Sequence, residues 1–219
     1  MSESLEIARK NMVINQLRPN KIKEEHILNL FEITPKENFL DNNQNYNCYL
    51  DKDLDIIKNR GYLKNLHLAQ LIKYAEISKD YKVLHLGGLT GYFSVILSSL
   101  CNELYVVEEN EDLYKQLKNN IKKIKNSNIK IFNSKLTEGH KVEAPYDLVI
   151  IDCPLFKLEE NLKNQIKTEG GKLIYIKKIN ENLSKAYKVI RNDMLFSTEY
   201  LFDLMTKYQI KEKEEVFNF

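Results

Sequence analysis

The sequence predicts a doubly wound α/β protein with a mainly parallel sheet, preceded by a helical segment. From residue 81 onward, short apolar runs alternate with segments of helical periodicity, the first run ends in a glycine turn, and two further β segments follow. Strands joined by helices need right-handed crossovers, which place helices on both faces of a parallel sheet. We therefore expect residues 1–80 to form a helical extension packed on the core and residues 81–219 to form the α/β domain.

The first 80 residues have the patterns of helices and irregular connections. Apolar residues stand among charges across residues 23–32, and residues 68–75 repeat apolar side chains at helical spacing. Between them, Thr34-Pro35-Lys36-Glu37 has the form of a capping box and predicts the start of a short helix. Residues 41–47 are polar and rich in Asn, which predicts a surface loop.

The α/β part contains five predicted strands, separated by helices or turns. The strands are Val83 to Leu86, Leu104 to Val107, Ile129 to Phe132, Leu148 to Ile151 and Lys172 to Ile176. Helical spacing predicts helices across residues 92–100, 112–125 and 158–167. Two more β segments, residues 187–190 and 195–201, flank an Asn192-Asp193 turn signal.

The charge balance and hydropathy argue against several classes of partner. There are 33 Lys and Arg against 31 Asp and Glu, so no overall attraction to nucleic acid or to an anionic membrane is expected. No stretch approaches the roughly 18 apolar residues of a membrane span, and residues 1–17 lack the apolar core of a secretory signal. We expect no nucleic acid and no membrane as partners.

The cysteines indicate a reducing compartment, and the histidines do not have the spacing of a metal site. Cys48, Cys101 and Cys153 are odd in number and far apart, which favours reduced thiols and a cytoplasmic location. The four histidines form no HxxxH or HExxH pair, so no bound metal is expected.

A glycine turn after the first strand of the α/β part is the main candidate for a ligand site. Glycines let a ligand approach the backbone, the following helix offers free N–H groups, and such sheets bind ligands beyond the carboxyl ends of their strands. Glu108 follows the second strand, where a carboxylate can accept both hydroxyls of a ribose. The candidate residues for an adenosine-type ligand are Gly87, Gly88, Leu89, Thr90, Gly91 and Glu108.

A simpler explanation of the same residues stays open. The glycines could merely close a tight turn, and Glu108 with its acidic neighbours could simply favour the positive end of the following helix. Asp152, at the end of the fourth strand, could contact a substrate amine or a cofactor, or could be an ordinary polar residue that leaves a buried strand. Cys153 is expected to be a buried thiol and His85 a hydrogen-bonded structural histidine.

Five segments in a fixed order together resemble the protein-L-isoaspartate O-methyltransferase family. The resemblance runs from about residue 8 to 177 and is closest to a bacterial branch with a Q-x-R-P-N opening. The segments are Ala8 to Asn20, Ile33 to Leu40, Tyr49 to Leu54, Val83 to Tyr92 and Ala144 to Ile151.

The resemblance implies a seven-stranded, Rossmann-like methyltransferase fold that uses S-adenosylmethionine. In the family the cofactor lies over the glycine turn and its ribose meets the acidic residue after the second strand, which corresponds to Glu108 here. The family methylates the carboxyl of isoaspartyl residues in damaged proteins, so the implied partner is a protein or peptide substrate. The sequence makes no prediction of oligomeric state.

The chain departs from the family pattern at three positions. Leu89 replaces the central glycine of the turn, and His85 replaces the usual acidic residue of the first strand. Residues 61–65 align with the family's T-I-S-Q-P motif and put Leu63 where the active serine belongs, so no catalytic residue is assigned. If φ at Leu89 is positive, leucine adds roughly 1 kcal/mol or more of strain. Arg60 and Lys64 could attract an anionic substrate.

Three functions follow from these observations. The leading hypothesis is a protein-L-isoaspartate methyltransferase. The second is a degenerate family member that binds cofactor or a protein partner without catalysis, as the residues at positions 63, 85 and 89 suggest. The third is a methyltransferase for another acceptor, which would use residues 152–155 in place of a D-P-P-Y loop.

Overall fold

The computed structural model describes residues 2–41, 43–124 and 128–210, in which six α-helices and nine strands form. The helices are α1 (Ser2–Met12), α2 (Glu25–Ile33), α3 (Asn65–Ala75), α4 (Tyr92–Ser98), α5 (Glu111–Ile124) and α6 (Glu160–Lys163). The strands are β1 (Leu54–Ile57), β2 (Arg60–Tyr62), β3 (Lys82–Leu86), β4 (Glu103–Val107), β5 (Ile129–Phe132), β6 (Leu148–Ile151), β7 (Glu169–Lys178), β8 (Leu183–Asn192) and β9 (Leu195–Met205). Within these ranges, none of the helices combines the length and the hydropathy that a membrane span needs.

Seven of the strands form one sheet in the order β5-β4-β3-β6-β7-β8-β9. Strands β3 to β7 run parallel, whereas β8 pairs antiparallel with both β7 and β9. The chain crosses from β5 back to β6 beside β3, so the topological switch point lies between β3 and β6. Ligands of doubly wound sheets bind at the carboxyl ends of the strands beside such a point. The predicted fold class is confirmed.

The central strands form because their side chains are buried on both faces of the sheet. Alternate residues of β3 belong to different apolar clusters: Val83 lies in one, and Leu84 and Leu86 lie in the other. Strands covered on both faces are nearly continuous apolar runs, which is why these segments stand out in the sequence. The sheet thus gives the turns at its carboxyl edge a rigid base.

Residues before position 80 share one apolar cluster with the α/β part. Phe31 of α2 and Leu68 of α3 belong to the same cluster as Phe93 and Ile96 of α4. The division of the chain at residue 80 stays a prediction, since the packing itself is continuous across that position. The segment also contains an antiparallel hairpin of β1 and β2, which was not predicted from the sequence.

Two predicted helices form with a different start or length, for identifiable reasons. Thr34 ends α2 instead of capping a new helix, and the N–H of Lys36 donates to the Tyr49 hydroxyl at the start of a 3₁₀ turn. The helix predicted for residues 158–167 shrinks to α6, because Tyr146 exchanges backbone hydrogen bonds with Gln165 and Lys167. Lys125, predicted to end α5, lies outside the described residues.

Candidate functional site

The glycine turn between β3 and α4 is anchored to the neighbouring strand. The N–H groups of Gly87 and Gly88 both donate to the carbonyl oxygen of Val107, at 3.0 and 3.2 Å. Gly87 has a φ of 111° and Gly91 a φ of 106°, values that favour glycine. A Cβ at Gly88 would lie 2.7 Å from side-chain atoms of Leu117 and Val106. The turn therefore needs glycines for its own packing, whatever it binds.

The backbone of Leu89 has a positive φ, which is the case in which strain was predicted for this residue. Its φ is 48°, in the left-handed region where a non-glycine residue costs about 1–2 kcal/mol. The side chain is 3% exposed and belongs to the main apolar cluster. Burial of the leucine thus offsets the strain of its backbone.

Glu108 lies at the carboxyl end of β4 with every oxygen occupied. Its side chain is fully buried, and Arg60 forms two parallel hydrogen bonds with it, from Nη1 to Oε1 at 2.6 Å and from Nη2 to Oε2 at 2.8 Å. The N–H of Asn110 donates to Oε1 and the N–H of Leu89 donates to Oε2, both at 2.9 Å. Ribose hydroxyls can bind this carboxylate only if they displace one of these donors.

Arg60 comes from β2 and lies over the glycine turn. Its Nη2 is 3.9 Å from the position that a Cβ at Gly87 would take. Burial lowers the pKa of Arg60, but the hydrogen bonds and the negative charge of Glu108 raise it more, so the net pKa is above its ordinary value. The guanidinium is therefore a permanent cation in a nearly dry environment.

Asp152 and His85 lie buried beside the switch point, where Asp152 follows β6 and His85 belongs to β3. Oδ1 of Asp152 would be 2.6 Å from a Cβ at Gly87, and Oδ2 lies 3.4 Å from Nε2 of His85. Nδ1 of His85 is hydrogen-bonded to the Ser94 hydroxyl at 2.9 Å, as expected of a structural histidine. Three buried atoms around this point have no hydrogen-bond partner among the described residues: Nε of Arg60, Nε2 of His85 and Oδ1 of Asp152.

The amino end of α4 is capped by Tyr62, two residues after Arg60 on the same strand. Its hydroxyl accepts hydrogen bonds from the N–H groups of Thr90, at 3.2 Å, and Tyr92, at 3.1 Å. It also bonds to the Thr90 hydroxyl at 2.8 Å. The free N–H groups that the sequence suggested for a ligand are therefore already paired at these two positions.

The position of the family's active serine offers no reactive group. Leu63 follows Tyr62, is 1% exposed and belongs to the main apolar cluster. Cys153, next to Asp152, is a free buried thiol, and burial raises its pKa to about 12. A thiol with so high a pKa is a poor nucleophile at neutral pH.

The six predicted binding residues thus lie together, but their present arrangement does not fit S-adenosylmethionine. The guanidinium of Arg60 is hydrogen-bonded to the carboxylate of Glu108, and the carboxylate of Asp152 fills the space over Gly87. The cavity that borders Thr90 and Asn110 measures about 120 Å³, well below the ~300 Å³ typical of small-molecule sites. Ribose hydroxyls would have to displace the guanidinium of Arg60, since the other two groups that donate to Glu108 are backbone N–H groups.

No metal centre is found in residues 2–41, 43–124 and 128–210. The His, Cys, Asp and Glu side chains of these ranges form no group of three or more that could hold an ion.

Comparison with known proteins finds one family across most of the chain. The family model described as protein-L-isoaspartate(D-aspartate) O-methyltransferase matches residues 8–203. The protein-L-isoaspartate O-methyltransferase of Koribacter versatilis (strain Ellin345) is 25% identical over 166 residues, which cover 76% of this chain and 74% of the relative. That of Vibrio atlanticus (strain LGP32) is 23% identical over 180 residues, which cover 82% and 85%.

A solved structure of a protein-L-isoaspartate O-methyltransferase has the same fold. It superposes with a TM-score of 0.78 at 20% identity and covers 93% of this chain, which spans 66% of that structure, just under two thirds. Identity at this level is evidence for the fold alone, whereas the family model covers most of the sequence. The chain therefore belongs to the protein-L-isoaspartate(D-aspartate) O-methyltransferase family, whose members use S-adenosylmethionine.

Proposed function

We propose that this chain is an S-adenosylmethionine-dependent methyltransferase that methylates the carboxyl of isoaspartyl residues in proteins or peptides. The observation that carries the proposal is the family match across residues 8–203, which includes the glycine turn and Glu108. Both lie at the carboxyl ends of β3 and β4, beside the switch point of the sheet. The methyl-transferring state is one in which Arg60 has left Glu108.

The chemistry asks little of the protein beyond positioning. A carboxylate acceptor is already deprotonated at neutral pH, so the reaction needs no general base, and its rate depends on the alignment of the two reacting groups. The described residues exclude water from one side of the site, since Leu63 and Tyr62 are each 1% exposed. The missing serine hydroxyl is therefore compatible with methyl transfer, although it removes one group that could orient the acceptor.

The compartment and the role of the N-terminal segment belong to the same proposal. We place the protein in the cytoplasm, supported by three cysteines that are all free and buried. Residues 1–80 would act as the substrate-side cover of the α/β part, supported by the hairpin of β1 and β2, which reaches the glycine turn through Arg60 and Tyr62.

A second candidate is a family member that has lost catalysis and serves as a binding protein. The bidentate pair of Arg60 and Glu108 favours it, because Arg60 already occupies the Glu108 carboxylate that the ribose of the cofactor would bind. The buried leucine at position 63 favours it as well.

Methyl transfer from radiolabelled S-adenosylmethionine to an isoaspartyl peptide, against its aspartyl twin, tests the proposal. We expect label on the isoaspartyl peptide alone. Glu108→Gln should abolish transfer, whereas Glu109→Gln, its neighbour on the same loop, should retain it. Equal background label on both peptides would reject methyl transfer to isoaspartate, and binding of S-adenosylhomocysteine without transfer would then support the second candidate.

A further inference from the structure

We propose that Arg60 is a built-in competitor for the ribose of the cofactor, so that Arg60 sets the affinity of the site. This inference rests on the proposed function, because it takes the ligand of that same site to be an adenosyl cofactor. It goes beyond it by assigning a role to a residue of the β1–β2 hairpin that lies 48 positions away from Glu108 in the sequence.

The geometry makes the competition direct. Arg60 donates to both oxygens of Glu108, the same two atoms that a ribose diol would need. Its Nη2 also lies 3.9 Å from the position that a Cβ at Gly87 would take, beside the carboxylate of Asp152, so the guanidinium helps to fill the space over the turn. The guanidinium and the cofactor therefore cannot occupy the site together.

The energies make the competition strong. A hydrogen bond between an arginine and a carboxylate is roughly twice as strong as one between neutral groups. Ribose hydroxyls are neutral, so they replace a charge-assisted, bidentate contact with a weaker one. We call the state in which Arg60 is paired with Glu108 the closed arrangement. The more stable this ion pair is, the more the closed arrangement should lower the affinity for the cofactor.

The closed arrangement is nevertheless incompletely satisfied, which allows it to open. Nε of Arg60 and Oδ1 of Asp152 are buried and find no hydrogen-bond partner in the part of the chain that the structure describes, and buried unpaired polar atoms are costly. The hairpin itself is small, since β1 has four residues and β2 has three. Tyr62 of the same hairpin stays bonded to the amino end of α4, so Arg60 would leave Glu108 by a change of its own side-chain conformation, with the hairpin and the sheet in place.

Calorimetric titration of the full chain with S-adenosylhomocysteine tests the inference without relying on catalysis. We expect Arg60→Met to bind at least tenfold more tightly than wild type, which corresponds to about 1.4 kcal/mol. Arg60→Lys should lie between the two, because lysine lacks the planar fork. Arg18→Met is the matched control, since Arg18 forms an equally bidentate pair with Glu25 on the surface, and its affinity should equal that of wild type.

The outcomes separate this inference from the proposed function. A folded Arg60→Met protein that binds no more tightly than wild type overturns the competitor role, while methyl transfer by wild type would leave the function intact. Tighter binding by Arg60→Met without transfer by any variant supports the competitor and rejects the enzyme. If Arg60→Met fails to fold, the same comparison is decided by Arg60→Lys. Absence of binding by wild type and by all folded variants at millimolar ligand overturns both.

Discussion

Lys36 gives the sharpest test of the packing beside the hairpin. It is 1% exposed, its Nζ donates to Oδ1 of Asn65 at 3.1 Å, and it lies 5.1 and 5.2 Å from the ring centres of Tyr62 and Tyr92. Burial lowers its pKa from 10.5 to about 8, although the negative charge of Asp53 acts in the opposite direction. The perturbation that we consider is Lys36→Met, which removes the titrating group and keeps most of the side-chain volume.

The magnitude follows from the difference between the folded and unfolded pKa. Between pH 8 and 10.5 the unfolded chain holds more protons at Lys36 than the folded chain does, so wild-type stability rises with pH in this window. Below pH 8 the cost of burying the charge is fully present. At 1.36 kcal/mol per pKa unit, the recovered stability is about 3 kcal/mol.

The assay is urea unfolding of wild type and Lys36→Met at pH values from 7 to 10.5. Titration of the other groups largely cancels in the difference between the two proteins. We expect the free energy of unfolding of wild type, minus that of the variant, to rise by about 3 kcal/mol across this range. Lys10→Met, which removes an exposed lysine, should give a nearly flat difference. A flat difference for Lys36→Met as well would refute the conclusion that Lys36 is buried with a lowered pKa.

Three further variants test other parts of the molecule by the same unfolding assay. His67 is 7% exposed and burial lowers its pKa to about 4. As the pH falls from 6.5 to 4, the free energy of unfolding of wild type should therefore drop by about 3 kcal/mol relative to that of His67→Gln. An equal pH dependence of the two proteins would contradict this. Leu89→Gly should lower stability by about 2 kcal/mol, since lost burial exceeds relieved strain, and any gain would contradict the packing described. Gly61→Ala would place a Cβ 2.2 Å from the carbonyl oxygen of Leu54, and should cost at least about 1–3 kcal/mol; an unchanged midpoint would contradict that contact.

The sheet was predictable because its central strands are buried runs with a clear local pattern. β5 and β6 begin and end at the residues predicted from the sequence, and β3 and β4 begin one residue earlier. The glycine turn and the position of Glu108 were predictable for the same reason, since both follow directly from the ends of strands.

The hairpin and the partner of Glu108 were not predictable in this way. β1 and β2 are short and carry charged residues, and tertiary contacts hold them in place, such as the hydrogen bond from the Tyr208 hydroxyl to Asp55. The pairing of Arg60 with Glu108 joins residues on separate elements, and no local periodicity connects them. The available signal was the two cations Arg60 and Lys64 beside the aligned substrate motif, which suggested an anionic substrate but did not point to Glu108.

The position of Cys153 gives the protein an intrinsic probe of its own crevice. Its thiol adjoins Asp152 and is shielded from solvent, and burial raises its pKa to about 12. Alkylating reagents react with thiolates that they can reach, so modification of this side chain requires the surrounding wall to part. The rate of labelling at Cys153, followed by mass spectrometry, would therefore measure how often the unmodified protein opens locally at that edge of the sheet.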